Sequence, residues 1–178
     1  MRSNSDGRRP VIKGFSLLVI VFFIASLNFT LDRLSKNYAV EHIKGQGTIQ
    51  VVGNIFILHY AENDGAFLGF GGGLPKPLKT FLLILLPVVL IVASTIYTAF
   101  SGSLPPGQIV CLSSIIGGGA GNLFDRIFND GTVIDFLNFG IGGLRTGILN
   151  VADLSVTFGA VLLIILQLRQ SKAQAAGD

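Results

Sequence analysis

Four aspartates, Asp125, Asp130, Asp135 and Asp153, fall between residues 118 and 153 of a 178-residue chain that is only 13% charged. Carboxylates so gathered are the residue type from which an amide can be hydrolysed without metal or cofactor. One ionised carboxylate takes a proton from water while its protonated neighbour donates to the carbonyl oxygen. Two carboxylates about 3 Å apart cannot both ionise readily, so they share one proton and titrate as a pair. Competing chemistries lack parts. His42 and His59 stand outside any HExxH, and there is no GxSxG nucleophile elbow. Cys111 is the single cysteine, so no CxxC, disulfide or metal cluster can be argued from it. The glycines after Asp64 match no GxxxxGK[ST] phosphate loop. No metal and no cofactor are expected.

The elements that must position these acids are membrane helices. Half of the residues are hydrophobic, 23 are glycine, and no charge occurs in the 45 residues from Thr80 to Phe124. A soluble domain of this length cannot hide such a run, whereas a spanning helix needs roughly 20 apolar residues. The fold class expected is an all-α polytopic membrane protein with four transmembrane helices and a small β-rich cradle outside the membrane. The spans fall at about 14–31, 80–100, 108–128 and 151–168, with 32–79 as the extramembrane segment, in one membrane-embedded domain over residues 1–178. A cleaved signal peptide is the rival reading of the basic start and first apolar run. That run exceeds the usual 7 to 15 residues, and Ala25-Ser26-Leu27 is a poor cleavage site.

Within this frame Asp32 and Lys36 lie four residues apart, on one helical face at the end of the first span. Read as chemistry alone they are a solvated interfacial ion pair, worth little. Residues 45–61 carry β-formers broken by Gly53-Asn54, which predicts a short hairpin or small sheet. Asn63-Asp64-Gly65 reads as a turn and Phe67 to Phe70 as an apolar patch. Pro87 predicts a kink in the second span. Gly117 to Gly121 predict close helix approach. Residues 129–149 read as a glycine-rich loop.

Four spans put both termini on one side. The third helix, at 1.5 Å per residue, reaches the opposite face near Asn122, Asp125 and Arg126. The fourth starts there with Asn150 and Asp153, and the first ends there at Asp32. Asp32, Asp125, Asp135 and Asp153 therefore converge on one face with the loop holding Asn63. Ionisable groups held near a bilayer are costly and are functional candidates by default. Asp125 alone reads equally well as an interfacial charge beside Arg126, and Asp130 as a solvated acid. Asp153, near a helix N-terminus, gains from the macrodipole. Lys and Arg number six on the terminal side and seven on the other, which gives no bias. The dense cluster Arg2, Arg8, Arg9 and Lys13 before the first helix favours cytoplasmic termini. The net charge of +3 is scattered without aromatic interleaving, so no nucleic-acid partner is expected.

Five motifs then occur in order: DRLSK at 32–36, NDGAF at 63–67, GNLFDR at 121–126, VIDF at 133–136 and NVAD at 150–153. Together they resemble the motif set of the bacterial lipoprotein signal peptidases, or signal peptidase II, over roughly residues 14–168. The resemblance implies an aspartyl peptidase of the bacterial cytoplasmic (inner) membrane. Such enzymes remove the signal peptide from prolipoproteins by cutting before a diacylglyceryl-modified cysteine at the outer face. It implies Asp135 and Asp153 as the catalytic dyad, and Asn63, Gly65, Asn122, Asp125, Arg126 and Asn150 as residues that position dyad and substrate. Asp32 and Lys36 would support the first helix, and 45–61 would cover the substrate. Diacylglyceryl-modified prolipoproteins and membrane lipid are the partners implied, and a monomer is expected. A small proton-coupled transporter or channel using the acids as a relay is the alternative, although a relay is expected nearer mid-membrane. A non-enzymatic assembly or lipid-binding protein is a third class.

Overall fold

The computed structural model describes residues 15–66, 71–101 and 104–175. The basic N-terminal cluster and the Phe67 to Phe70 patch lie outside them. Four helices are long and apolar enough to cross a membrane: α1 (Phe15–His42), α2 (Lys76–Phe100), α3 (Pro106–Phe128) and α4 (Val151–Ala175). The shortest has 23 residues, about 35 Å at the helical rise, enough for a hydrocarbon core of about 30 Å. Their outward faces are apolar: Phe22 is 76% and Phe100 78% exposed, a surface suited to lipid and not to water.

Helix α3 is central and packs against α1, α2 and α4. Its glycines make this possible. A Cβ at Gly117 would lie 2.4 Å from the Ala25 carbonyl oxygen in α1, and one at Gly118 2.6 Å from the Ala152 carbonyl oxygen in α4. The expected close approach is therefore real, and it is made on two sides of one helix. Gln108, near the start of α3, donates to Gln170 near the end of α4 at 3.1 Å, so the two helices run antiparallel.

Three differences from the sequence reading bear on the site. Helix α1 does not stop near Leu31 but runs on to His42, because Leu34 to Ala39 contain no breaker and Ala39 and Ile43 find a second core to enter. Asp32 and Lys36 thus lie inside a helix and not at its end. At Pro87 the disruption is a π-helical turn over Phe81–Leu85, where the Leu86 N–H reaches back to the Phe81 carbonyl. Proline has no N–H to give, and the wider turn absorbs the missing bond.

The third difference matters most. Residues 129–149 are not a loop but hold β3 (Val133–Ile141) and β4 (Leu144–Arg145). With β1 (Thr48–Val52) and β2 (Phe56–Asn63) they form a four-stranded sheet in the order β1-β2-β3-β4. The expected hairpin is present as β1 and β2, antiparallel, with Gly53 at φ 47° in its turn, a left-handed value that glycine adopts without strain. Strand β3 pairs antiparallel with β2, setting Asp135 opposite Ala61 and Val133 opposite Asn63. The sheet packs on the α1 extension, where Ala39, Ile43, Phe136, Leu137 and Leu149 form a buried cluster.

Candidate active site

Strand β3 delivers Asp135 and the first turn of α4 delivers Asp153. Val133 to Asn138 are buried at every position, so β3 lacks the alternation that marks a half-exposed strand. Helix α4 begins with a reciprocal cap: the Asp153 N–H donates to Asn150 Oδ1 at 2.8 Å, and the Asn150 N–H donates to Asp153 Oδ2 at 3.2 Å. This is the capping-box arrangement, with Asn and Asp in place of Ser and Glu. The tetrapeptide NVAD is thus a local helix start that fixes a carboxylate.

The same asparagine reaches the other acid. Asn150 Nδ2 lies 2.6 Å from Asp135 Oδ1 and 3.0 Å from Asn122 Oδ1. Asn63 Nδ2 donates to Asp135 Oδ2 at 2.9 Å, and Asn122 Nδ2 donates to Asp153 Oδ1 at 2.8 Å. Asn63 also accepts the Gly65 N–H at 2.9 Å, a side-chain turn that fixes the amide. Arg126 donates to the Gly65 carbonyl at 2.6 Å, so α3 ties down the turn after β2. Each carboxylate is held by asparagines from two separate elements.

Beneath this layer lies a buried charge cluster. Lys36 Nζ is 2.8 Å from Asp32 Oδ2, 2.8 Å from Asp125 Oδ2 and 2.9 Å from Asn122 Oδ1, and Lys36, Asp32 and Asp125 are each fully buried. The solvated ion pair expected for Asp32 and Lys36 is overturned, because the helix continues past them and α3 and α4 cover both. The interfacial reading of Asp125 falls too: its partners are Lys36 and Arg33, with Arg126 turned to Gly65. Asp32 Oδ1 also accepts the Ala152 N–H at 2.9 Å, and Asp125 Oδ2 the Ile134 N–H at 3.2 Å. Two buried acids thereby anchor the start of α4 and the start of β3. Asp130 is exposed, as expected.

Asp135 and Asp153 both line a cavity of about 210 Å³, beside Asn63, Asn122 and Arg126. The opposite wall is apolar: Leu82, Leu83 and Pro87 come from the π-turn region of α2. Asp135 is only 2% exposed. Burial pushes its carboxyl up to about 6, against the downward pull of the Asn63 hydrogen bond and with a smaller upward push from the Asp153 charge. A buried acid near neutrality beside a second carboxylate is the arrangement that lets one proton be shared. Among the described residues, no group of three His, Cys, Asp or Glu side chains could hold a metal ion.

All ten residues singled out in the sequence, Asp32, Lys36, Asn63, Gly65, Asn122, Asp125, Arg126, Asp135, Asn150 and Asp153, meet in this region. Arg33 was missed. Its only sequence signal was its place beside Asp32, and what it pairs with lies 92 positions away.

Known proteins resemble this chain in sequence and in fold. Residues 24–169 match the family model described as signal peptidase (SPase) II. The lipoprotein signal peptidase of Chlorobium phaeobacteroides (strain BS1) is 31% identical over 82% of this chain and 94% of its own length. That of Halothermothrix orenii (strain H 168) is 35% identical over 86% and 98%. A bacterial membrane enzyme solved by the in meso method at 2.3 Å superposes with a TM-score of 0.77 at 25% identity, covering 92% of this chain and 94% of that one.

Proposed function

We propose, because this chain belongs to the signal peptidase II family, that it is a lipoprotein signal peptidase of aspartic type. Its substrates are diacylglyceryl-modified prolipoproteins, cut just before the modified cysteine. The observation that carries the aspartic assignment is Asn150, which binds Asp135 through its amide and Asp153 through its backbone and cap. One residue thus couples two carboxylates across one cavity.

In the mechanism this supports, the two acids share one proton: Asp135, the more buried of the two, carries it at the start, and Asp153 is the ionised base. Asp153 removes a proton from a water as the water oxygen attacks the scissile carbonyl. Asp135 protonates the carbonyl oxygen, giving a neutral tetrahedral diol. Collapse breaks the C–N bond: the proton held by Asp153 passes to the leaving nitrogen, and a hydroxyl proton returns to Asp135. Asn63 and Asn122 hold the two acids, and Arg126 holds the Gly65 turn at the cavity edge. The apolar α2 wall suits a lipid-modified residue.

The placement proposed is the bacterial cytoplasmic membrane, with cytoplasmic termini and the cavity at the outer face. Support comes from the basic N-terminal cluster and from the meeting of Asp32, Asp125 and Asp153 at one end of the bundle. The cavity opens sideways, so that an acylated substrate enters from lipid, and the enzyme works as a monomer. A transporter reading finds no support, since the relatives are peptidases. The test is incubation of the purified protein with a prolipoprotein, with and without its diacylglyceryl group, read as a gel shift. Cleavage of the acylated form alone is expected. A lipid-replete substrate left intact would refute the reading.

A further inference from the structure

Arg33 has no part in the mechanism above, yet it completes the cluster on which the site stands. Lys36 donates to Asn122 Oδ1, and its ammonium lies 2.8 Å from both Asp32 Oδ2 and Asp125 Oδ2, so one positive charge is shared between two carboxylates. The second oxygen of the fully buried Asp125 remains, and the Arg33 guanidinium pairs with it. Asn129 Nδ2 reaches the same oxygen only at 3.4 Å. The Arg33 guanidinium lies 4.8 Å from the centre of the Phe124 ring. Phe124 is itself packed edge-on to Phe29 at 5.7 Å and against Phe128 at 4.5 Å. Aromatic stacking and a charged partner together fix this arginine, whose side chain is 19% exposed.

The charge balance depends on it. Asp32 and Asp125 contribute two negative charges, and Lys36 and Arg33 two positive ones. Without Arg33 a single ammonium faces two buried carboxylates, and a net negative charge lies next to the Asp135 and Asp153 pair. Asp125 is also the acceptor for the Ile134 N–H, the residue before Asp135.

We propose that Arg33 is a positioning residue for the reaction: by pairing with Asp125 it holds the start of β3, and so Asp135, in place and keeps the cluster beneath the dyad neutral. The inference rests on the peptidase reading. The charged groups facing the cluster are Asp135 from β3, Arg126 from α3 and Asp153 from α4, and none of these replaces the lost cation at Asp125.

The test compares wild type, Arg33→Gln, Arg33→Lys, Asp125→Asn and the Arg33→Gln/Asp125→Asn double variant, each purified intact, on a diacylglyceryl-modified prolipoprotein across pH. Arg33→Gln should lower kcat by about tenfold or more, the scale of a lost charge-assisted hydrogen bond, with KM changed less than about twofold. Its pH profile should move up, by up to about one unit, the direction expected when a cation near a pair of acids is removed. Arg33→Lys should recover most of the rate. On the Asp125→Asn background, Arg33→Gln should lower kcat no further, because the anion it pairs with is gone, while the pH profile still moves up with the lost cation. An Arg33→Gln enzyme with wild-type kcat and pH profile would overturn the inference while wild-type cleavage left the peptidase reading standing. Should Arg33→Gln not fold, the neutral double variant decides: a kcat below that of Asp125→Asn, or a pH profile identical to it, overturns the inference, and an equal kcat with a profile moved up supports it. A wild type that does not cut at all would sink the peptidase reading and this inference with it.

Discussion

Replacing Asn150 separates what this residue does for the helix from what it does for the acids. Asn150→Ala removes the cap on α4, in which Asn150 Oδ1 accepts the Asp153 N–H at 2.8 Å. Loss of such a cap costs about 0.5–2 kcal/mol, or a few degrees in Tm at about 2–4 °C per kcal/mol for a chain of this size. The same change removes the 2.6 Å bond from Asn150 Nδ2 to Asp135 Oδ1. A hydrogen bond to a charged group is worth about 1.5–3 kcal/mol, which as transition-state stabilisation is about a 10- to 150-fold loss in kcat/KM. Asn150→Ser discriminates between the two roles. Serine is a good N-cap but cannot span to Asp135, so Tm should recover toward wild type while kcat/KM stays low. The assays are thermal unfolding in detergent and cleavage kinetics on an acylated prolipoprotein. Recovery of both quantities in Asn150→Ser, or an Asn150→Ala enzyme within twofold of wild type, would refute the claim that Asn150 couples the acids.

Burial holds the Asp135 carboxyl at about 6 against an ordinary 3.8, so the fold favours the protonated acid. Its contribution to stability is full below about pH 4 and is lost as pH rises through 6. Asp135→Asn should therefore unfold at a higher temperature than wild type at pH 8 and show no such gain at pH 4; a gain equal at both would deny the shift. Lys36→Met leaves Asp32 and Asp125 buried without the ammonium between them, and Arg33 paired with Asp125 alone. A loss of about 3–5 kcal/mol is expected, seen as failure to accumulate in the membrane, and normal accumulation would count against the cluster. Gly117→Ala places a Cβ 2.4 Å from the Ala25 carbonyl oxygen and should destabilise the bundle. Gly119→Ala meets only the Ile91 side chain at 3.4 Å and should be tolerated, so equal Tm values would refute the packing. Activity should survive EDTA, since the proposed chemistry runs on two carboxylates, and strong inhibition by the chelator would contradict it.

The spans and the meeting of the acids were legible because uncharged length and helical rise are one-dimensional quantities. Thr80 to Phe124 cannot be read as anything but membrane, and counting along α3 places Asp125 at the end opposite Gln108. Strand β3 was not legible. Its buried run VIDFLN shows no alternation, because α1 and β2 cover it, and the glycines that flank it mimic a loop. The end of α1 was hidden for a related reason. Polar residues after Leu31 look like an exit from the membrane, while the helix continues through Lys36 to meet the sheet core at Ala39. Motif likeness named Asp125 and Lys36, but that Arg33 closes the cluster depends on contacts far apart in sequence.

The measurement that tests the central claim most directly is the product mass from an acylated prolipoprotein treated with wild type, Asp135→Asn and Asp153→Asn, with helical content checked for each. The account predicts that wild type yields a mature chain beginning at the modified cysteine and that both variants, still folded, yield none. A folded variant at either position that releases the same product would contradict the shared-proton pair.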